Sequence, residues 1–146
     1  DNCIIAFSFT PESISKLIEH KVPSVKKRII TMRKLADVGW KLGLRFDPII
    51  PACNFAKIYE NLFKDIAFNI SKESVHSISF GMMRFPKKML KKMIRENPDK
   101  KISSLNFENR NGIYSYRKDM EKKLENIIVK KLKKYMKNIP IYNCQI

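Results

Sequence analysis

The sequence predicts an α/β fold in which parallel strands alternate with covering helices. Short apolar runs alternate along the chain with longer segments whose apolar residues recur at helical spacing. The chain has 146 residues, of which 44% are hydrophobic, and this is enough for one domain with a sizeable core. We therefore expect residues 1–146 to form a single domain, with about four parallel strands that belong to a larger sheet.

The first half of the chain predicts two strands, each followed by helices. Thr10 precedes Pro11 and Glu12, which together are typical of a helix N-terminus, and Ser24 is a second candidate N-cap. The predicted elements are a buried strand over 4–9, a helix from Thr10 to about 20, a helix from Ser24 to Gly39, a strand over 42–46 that ends at Asp47-Pro48, and a helix from 55 to about 66.

The second half predicts a hairpin between two helices. Its Asn-Gly pair at 111–112 favours a tight turn, and apolar residues at helical spacing give the last helix one apolar face. The predicted elements are a strand over 77–81, a short basic helix over 86–95, an irregular or hairpin-like segment over 101–116 with a turn at 109–112, a long basic helix from 117 to about 137, and a short strand over 140–143.

The charge is strongly positive and unevenly distributed. Lys and Arg number 30 against 14 Asp and Glu, for a net charge of +16. Residues 1–80 carry 12 basic and 8 acidic side chains, a net of +4, whereas residues 81–146 carry 18 and 6, a net of +12. This excess predicts a polyanionic partner, with nucleic acid ahead of an anionic membrane. The alternative is a compositional bias towards Lys, Ile and Asn that produces a solvated surface.

Several classes of protein are disfavoured. The longest apolar runs, such as 3–9, are too short to span a membrane, and no basic segment precedes that run as in a secretory signal. The 3 cysteines lie far apart, which indicates a reducing, cytoplasmic location instead of a disulfide framework. His20 and His76 have no second ligand at metal spacing, so we predict no metal site. We also name no catalytic residue in this chain.

Polar residues follow the predicted strands where active sites of parallel α/β proteins lie. Ser8 stands beside a helix N-terminus that suits a carboxylate or phosphate. Asp47 is suited to accept hydrogen bonds from an amine or a ribose, and the fork of Arg84 suits an anion. We expect these three side chains to face one cleft. The alternatives are a plain N-cap for Thr10 and a turn residue for Asp47.

Five blocks of sequence resemble the spore photoproduct lyase family. They run in the family's order and cover nearly the whole chain: 7–12 (Phe-Ser-Phe-Thr-Pro-Glu) with Glu-His at 19–20 and Pro-Ser at 23–24, 39–49 (Gly-Trp-Lys-Leu-Gly-Leu-Arg-Phe-Asp-Pro-Ile), 79–86 (Ser-Phe-Gly-Met-Met-Arg-Phe-Pro), 114–119 (Tyr-Ser-Tyr-Arg-Lys-Asp) and 141–144 (Ile-Tyr-Asn-Cys). The family's counterparts include Ser-Leu-Asn-Pro-Glu, Gly-Tyr-Pro-Leu-Gly-Phe, Ser-Leu-Gly-Thr-Phe-Arg-Phe, Tyr-x-Tyr-x-Lys-Asp and Tyr-Phe-Cys.

This resemblance implies a radical S-adenosylmethionine enzyme on a partial (β/α) barrel, of which this chain is the C-terminal half. In such enzymes a [4Fe–4S] cluster cleaves S-adenosylmethionine, and the resulting radical starts repair of a thymine dimer in DNA. By resemblance, Ser8 contacts the amino-acid end of the cofactor and position 47 lies beside the adenosine, where this chain has Asp instead of the family's Ala. Arg84 completes the expected cofactor site.

The resemblance also implies DNA as a partner. The family's Gly-Arg-Tyr-Gly hairpin, which approaches the lesion, reads Asn-Arg-Asn-Gly at 109–112 here. Lysines of the last helix and nearby aromatic residues are suited to phosphate contacts and base stacking. The expected DNA-binding residues are Arg110, Tyr114, Tyr116, Lys122, Lys130 and Lys134.

The cluster-binding Cys-x3-Cys-x2-Cys loop of the family is not in this sequence, whose cysteines are Cys3, Cys53 and Cys144. We therefore expect no cofactor on this chain alone and a separate N-terminal half that carries the cluster. Three readings stay open: part of a radical lyase, a non-catalytic nucleic-acid-binding module, and a basic interaction domain whose charge is only compositional.

Overall fold

The computed structural model describes residues 3–96 and 107–144, which form the expected α/β fold. Its strands are β1 (Ile4–Ser8), β2 (Lys41–Ile49), β3 (Val75–Met82), β4 (Arg84–Pro86), β5 (Phe107–Arg110), β6 (Ile113–Tyr116) and β7 (Ile141–Asn143). Its helices are α1 (Glu12–Ile18), α2 (Val25–Asp37), α3 (Phe55–Asn69), α4 (Lys87–Glu96) and α5 (Lys118–Tyr135), with a short 3-10 turn at Lys72–Ser74.

The parallel strands form one sheet in the order β1-β2-β3-β7. The central strands β2 and β3 are the most buried, and Leu42, Leu44 and Phe46 of β2 are fully enclosed. Apolar residues on both faces are typical of parallel strands covered by helices. The sheet therefore holds the core and aligns the carboxyl ends of its strands along one edge.

A second, antiparallel sheet has the order β4-β6-β5 and follows the carboxyl end of β3. Strands β5 and β6 form the predicted hairpin, whose two turn residues Asn111 and Gly112 have φ angles of 51° and 84°. Positive φ at both turn residues is the reason an Asn-Gly pair is favoured in such hairpins. Strand β4 was not predicted, since three residues are too few to show a period.

Helices α3 and α5 cover the sheet and pack against each other. Helix α5 buries Leu124, Ile128 and Leu132, spaced four residues apart, as its apolar pattern predicts. Helix α2 begins at Ser24, whose hydroxyl accepts a hydrogen bond from the backbone N–H of Lys27 at 3.3 Å. The N-cap predicted at Ser24 is therefore confirmed.

Three local expectations are wrong. Strand β1 is not buried, because it lies at an edge of the sheet and its residues are exposed or half-buried. Thr10 does not cap α1, since Pro11 holds the N-cap position and no side chain caps this helix. Strand β2 does not end before Asp47 but continues to Ile49, with an irregularity in its pairing to β3.

The first part of the predicted hairpin segment, 101–106, lies outside the described residues. No helix in the described part of the chain is both long enough and apolar enough to cross a membrane.

Candidate functional site

A cavity of about 820 Å³ lies at the carboxyl ends of β3 and β7. The hairpin β5–β6 forms a second wall, and the first two turns of α5 form a third. The lining residues are Met82, Arg84, Asn109, Arg110, Asn111, Ile113, Ser115, Lys118, Glu121, Lys122, Glu125, Asn143 and Cys144. The site is thus at the sheet edge where parallel α/β proteins bind their ligands.

The lining of this cavity combines apolar surface with many polar and charged side chains. Its ionisable residues are four cations, Arg84, Arg110, Lys118 and Lys122, and two carboxylates, Glu121 and Glu125. Three amides, of Asn109, Asn111 and Asn143, offer both donors and acceptors. Lys118, Lys122 and these amides suit a ligand that has both anionic and hydrogen-bonding groups, as a nucleotide has.

Arg110 is half-buried and is held by three hydrogen bonds. Its guanidinium donates to Glu108 at 2.5 Å, to Glu121 at 2.8 Å and to the carbonyl of Tyr116 at 2.6 Å. The hydrogen bond from Arg110 to Glu121 raises the pKa of Arg110, and the contact with Arg110 lowers the pKa of Glu108. Because two carboxylates offset its charge, Arg110 fixes the hairpin against α5 instead of presenting a free cation to DNA.

Glu121 and Ser115 extend this connection. Ser115 Oγ lies 2.5 Å from Glu121 Oε1 and 2.8 Å from the carbonyl oxygen of Met83. At the far side of the cavity, the Asn143 amide donates to Glu125 at 2.8 Å. The two carboxylates of α5 therefore tie its first turns to the hairpin and to β7.

Asp47 and Arg84 are brought together as an ion pair, with 2.8 Å between Asp47 Oδ2 and Arg84 Nη2. The pair lies over Gly81, where a Cβ would fall 2.5 Å from Arg84 Nη1 and 2.8 Å from Asp47 Oδ2. Only glycine leaves this space open. Both side chains also line a smaller cavity of about 250 Å³.

Ser8 is not brought into either cavity. It ends β1 beside β2, and it is exposed. Its carbonyl accepts a hydrogen bond from Arg28 at 2.9 Å, and Arg28 also pairs with Glu19 at 2.5 Å. Burial raises the pKa of Glu19, but hydrogen bonds from Arg28, Ser15 and Thr10 outweigh it, so that pKa is lowered. Arg28 thereby fixes the end of β1.

Tyr116, one of the residues expected to contact DNA, is buried in the protein. Its side chain is 0% exposed and stacks on Phe107 with ring centroids 5.4 Å apart. Burial raises the pKa of Tyr116, with a smaller contribution from Tyr59. A ring enclosed in the core is not accessible to a base. Tyr114, the residue two positions earlier on β6, is half-buried.

The three lysines expected to bind DNA differ in their surroundings. Lys122 and Lys130 are exposed, and Lys122 also lines the large cavity. Lys134 instead pairs with Glu60 of α3 at 2.8 Å, so a carboxylate already neutralises its charge. Glu60 also accepts hydrogen bonds from Lys131 and, at 2.7 Å, from the Tyr135 hydroxyl. Lys134 is therefore a poorer phosphate ligand than Lys122 or Lys130.

Glu60 makes the contact between α3 and α5 sensitive to acid. Hydrogen bonds from Lys131, Lys134 and Tyr135 lower its pKa from 4.5 to about 2. A carboxyl whose folded pKa is depressed stabilises the protein above its unfolded pKa, and this contribution is lost as pH falls from about 4.5 towards 2. We expect Glu60→Gln to flatten the stability profile in that range, as measured by thermal unfolding at each pH. If Glu60→Gln lost stability with falling pH as steeply as the wild type, this expectation would be contradicted.

Among residues 3–96 and 107–144, no group of three or more His, Cys, Asp or Glu is arranged to hold a metal ion. The three cysteines are free, with Cys3 and Cys53 exposed and Cys144 at the cavity wall. The donor set of these residues does not fit an iron–sulfur cluster, which needs several thiolates close together.

Sequence reasoning missed part of the cavity wall. Lys118, Glu121 and Glu125 were not among the candidates, although with Lys122 they recur three and four residues apart on the first turns of α5. That spacing places them on one face and was a usable signal. Glu108, which lies on the hairpin, offered no comparable pattern.

Comparisons with known proteins find a matching family and several similar folds. The family model for spore photoproduct lyase matches residues 1–143. A spore photoproduct lyase variant with one cysteine replaced by alanine is similar in structure, with a TM-score of 0.81, 20% identity, and coverage of 95% of this chain and 44% of that chain.

Two further structures are similar. Spore photoproduct lyase complexed with dinucleoside spore photoproduct has a TM-score of 0.78 at 21% identity and covers 95% of this chain and 44% of that one. A doubly substituted variant with bound AdoMet and dinucleoside spore photoproduct has a TM-score of 0.78 at 21% identity. The match covers 94% of this chain and 43% of that chain. The chain thus spans less than half the length of these lyases, and no curated protein matches it. The match over residues 1–143 shows that the chain belongs to the spore photoproduct lyase family.

Proposed function

We propose that this chain is the C-terminal part of a spore-photoproduct-lyase-like radical S-adenosylmethionine enzyme that repairs UV-induced thymine lesions in DNA. Residues 1–146 act as one domain and supply part of a (β/α) barrel. The family match and the 44% coverage of the solved lyases support this assignment. The [4Fe–4S] cluster belongs to a separate N-terminal half, so the chain alone is inactive. Free cysteines are compatible with a cytoplasmic location.

The observation that carries the proposal is the cavity at the carboxyl ends of β3 and β7, which brings together three amides and the lysines Lys118 and Lys122. Thymine presents carbonyl acceptors and an N–H donor, and the amides of Asn109, Asn111 and Asn143 can satisfy both kinds of group. Lys118 and Lys122 bind the phosphates that flank the lesion. Arg110 orients the hairpin through Glu121, and Tyr114 lies beside it on β6.

For the cofactor, Ser8 ends β1, and the Asp47–Arg84 pair joins the last part of β2 to the start of β4. Their chemistry fits the charged and hydroxyl-bearing parts of S-adenosylmethionine. S-adenosylmethionine supplies the radical chemistry when it is bound together with the cluster. In this chain Ser8 offers an exposed hydroxyl to the amino-acid end, and Asp47 offers a carboxylate to the ribose. Gly81 keeps the space that Asp47 and Arg84 occupy.

A non-catalytic nucleic-acid-binding module is the second candidate. The specific observation in its favour is that Asp47 and Arg84 form an ion pair at 2.8 Å. The charged groups that would bind the cofactor are therefore already occupied by each other. The charge of residues 81–146, with 18 basic and 6 acidic side chains, serves DNA binding in both candidates.

Binding of duplex DNA at different salt concentrations tests the DNA-facing role that both candidates share. Fluorescence anisotropy of a labelled duplex should show an affinity that falls about 100-fold between roughly 50 and 200 mM salt, as expected for about four released phosphate counterions. Little sequence preference is expected, because phosphate contacts carry no sequence information. No measurable binding at about 50 mM salt, or binding insensitive to salt, would favour a basic interaction domain whose charge is compositional.

A further inference from the structure

Helix α4 (Lys87–Glu96) segregates its residues into two faces. At about 3.6 residues per turn, its five cations fall on one half of the helix circumference and its four apolar residues on the other. The cations are Lys87, Lys88, Lys91, Lys92 and Arg95, and the apolar residues are Met89, Leu90, Met93 and Ile94.

The apolar half of α4 faces the protein, although no residue of this helix is fully buried. Met89 and Met93 line the smaller cavity together with Pro48, Met83 and Phe85, and α4 packs against β4 and β6. Arg84 lines both this cavity and the large one. Helix α4 therefore lies at the same end of the parallel sheet as the proposed lesion site, with its cationic half turned away from this packing.

In the described part of the chain, the cationic half is exposed and almost uncompensated. All five cations are exposed. Within the described residues, the ion pair that involves them is between Lys92 and Glu96, at 3.9 Å with both side chains largely in solvent. Such an exposed pair contributes little.

The arrangement opposes helix formation in the free protein. Lys87, Lys91 and Arg95 form a stripe four residues apart, and each like-charged neighbour of this kind destabilises a helix by about 0.2–0.5 kcal/mol. The stripe is about 12 Å long, which matches about three phosphates along one DNA strand. A polyanion laid along it would remove the repulsion.

We propose that the cationic half of α4 binds the phosphate backbone of the DNA duplex next to the lesion site. This rests on the proposed function, because the position of α4 beside the cavity is what favours DNA over an anionic membrane. Phosphate contacts carry no sequence information, so α4 binds intact and lesion-bearing DNA equally and anchors the duplex while the cavity selects the lesion.

A charge-reversed variant with a matched control tests this proposal. The variant carries Lys88→Glu, Lys91→Glu and Arg95→Glu. The control carries Lys26→Glu, Lys27→Glu and Lys34→Glu on α2, where three exposed lysines allow the same change in net charge. By anisotropy at about 100 mM salt, the α4 variant should bind intact duplex at least about tenfold more weakly than the control and show a salt slope shallower by two to three.

The corresponding glutamine variant, Lys88→Gln, Lys91→Gln and Arg95→Gln, separates lost contacts from new repulsion, and circular dichroism verifies helix content. If the α4 variant and the α2 control bind DNA with equal affinity, the α4 proposal is overturned. The proposed function still stands in that case, provided that the wild-type protein binds DNA. Absence of wild-type binding would refute both. The wild-type protein could instead bind phosphatidylserine vesicles in a salt-sensitive manner. If the α4 variant lost this binding but still bound DNA like the wild type, α4 would be assigned to a membrane surface and the proposal would be overturned.

Discussion

Replacing Tyr116 with alanine is expected to lower the free energy of unfolding by about 3–5 kcal/mol, the range for truncating a buried aromatic side chain. Tyr116 is 0% exposed and stacks on Phe107, and its hydroxyl lies 3.5 Å from the carbonyl oxygen of Ile49. The ring therefore joins the small sheet to the end of β2. Denaturant unfolding followed by circular dichroism measures the loss.

Two further variants separate this structural role from DNA binding. Tyr116→Phe keeps the ring and loses only a long hydrogen bond, so stability should change by less than about 1 kcal/mol and DNA affinity should not change. Tyr142, which is 56% exposed on β7, is the matched control, and Tyr142→Ala should cost less than about 1 kcal/mol. A stable Tyr116→Ala protein that had lost DNA binding would show that the ring is a contact residue after all.

Reversing two lysines of α5 is expected to weaken DNA binding about 10- to 100-fold at roughly 100 mM salt. Lys122 and Lys130 are exposed, and neither has a carboxylate partner at ion-pair distance within the described residues. Each substitution by glutamate removes one phosphate contact and adds one repulsion. Lys134 is left unchanged, because glutamate there would face Glu60 and disturb the contact between α3 and α5.

The matched control for this pair is Lys57→Glu with Lys64→Glu on α3, where both lysines are exposed and the net charge changes equally. We expect the control to lose much less affinity than the α5 variant. Equal losses would show that DNA senses only the total charge and that α5 provides no specific surface.

The sequence predicted those features that depend on neighbouring residues. Apolar runs identified β2 and β3, and the Asn-Gly pair at 111–112 identified the hairpin. The spacing of Leu124, Ile128 and Leu132 identified the buried face of α5. In each case the signal and the structure span only a few residues, so propensity and period are sufficient.

Features that join distant segments could not be predicted from the sequence. Lys134 and Glu60 are 74 residues apart, and no local pattern shows that α3 brings a carboxylate to α5. The burial of Tyr116 likewise depends on how the small sheet docks on β2. Strand-end positions did predict a polar site, but whether Ser8 joins Asp47 and Arg84 depends on side-chain packing that strand order does not determine.

The most direct test of the central claim is a heteronuclear NMR titration of the chain with dinucleoside spore photoproduct, with undamaged thymidine dinucleotide as the control. We expect the lesion to shift the backbone amides around the large cavity, from Asn109 to Ile113 and at Lys118, Asn143 and Cys144, more strongly than the control does. Equal shifts for both ligands, shifts confined to other surfaces, or no shifts at all would contradict the claim that this cavity receives the lesion.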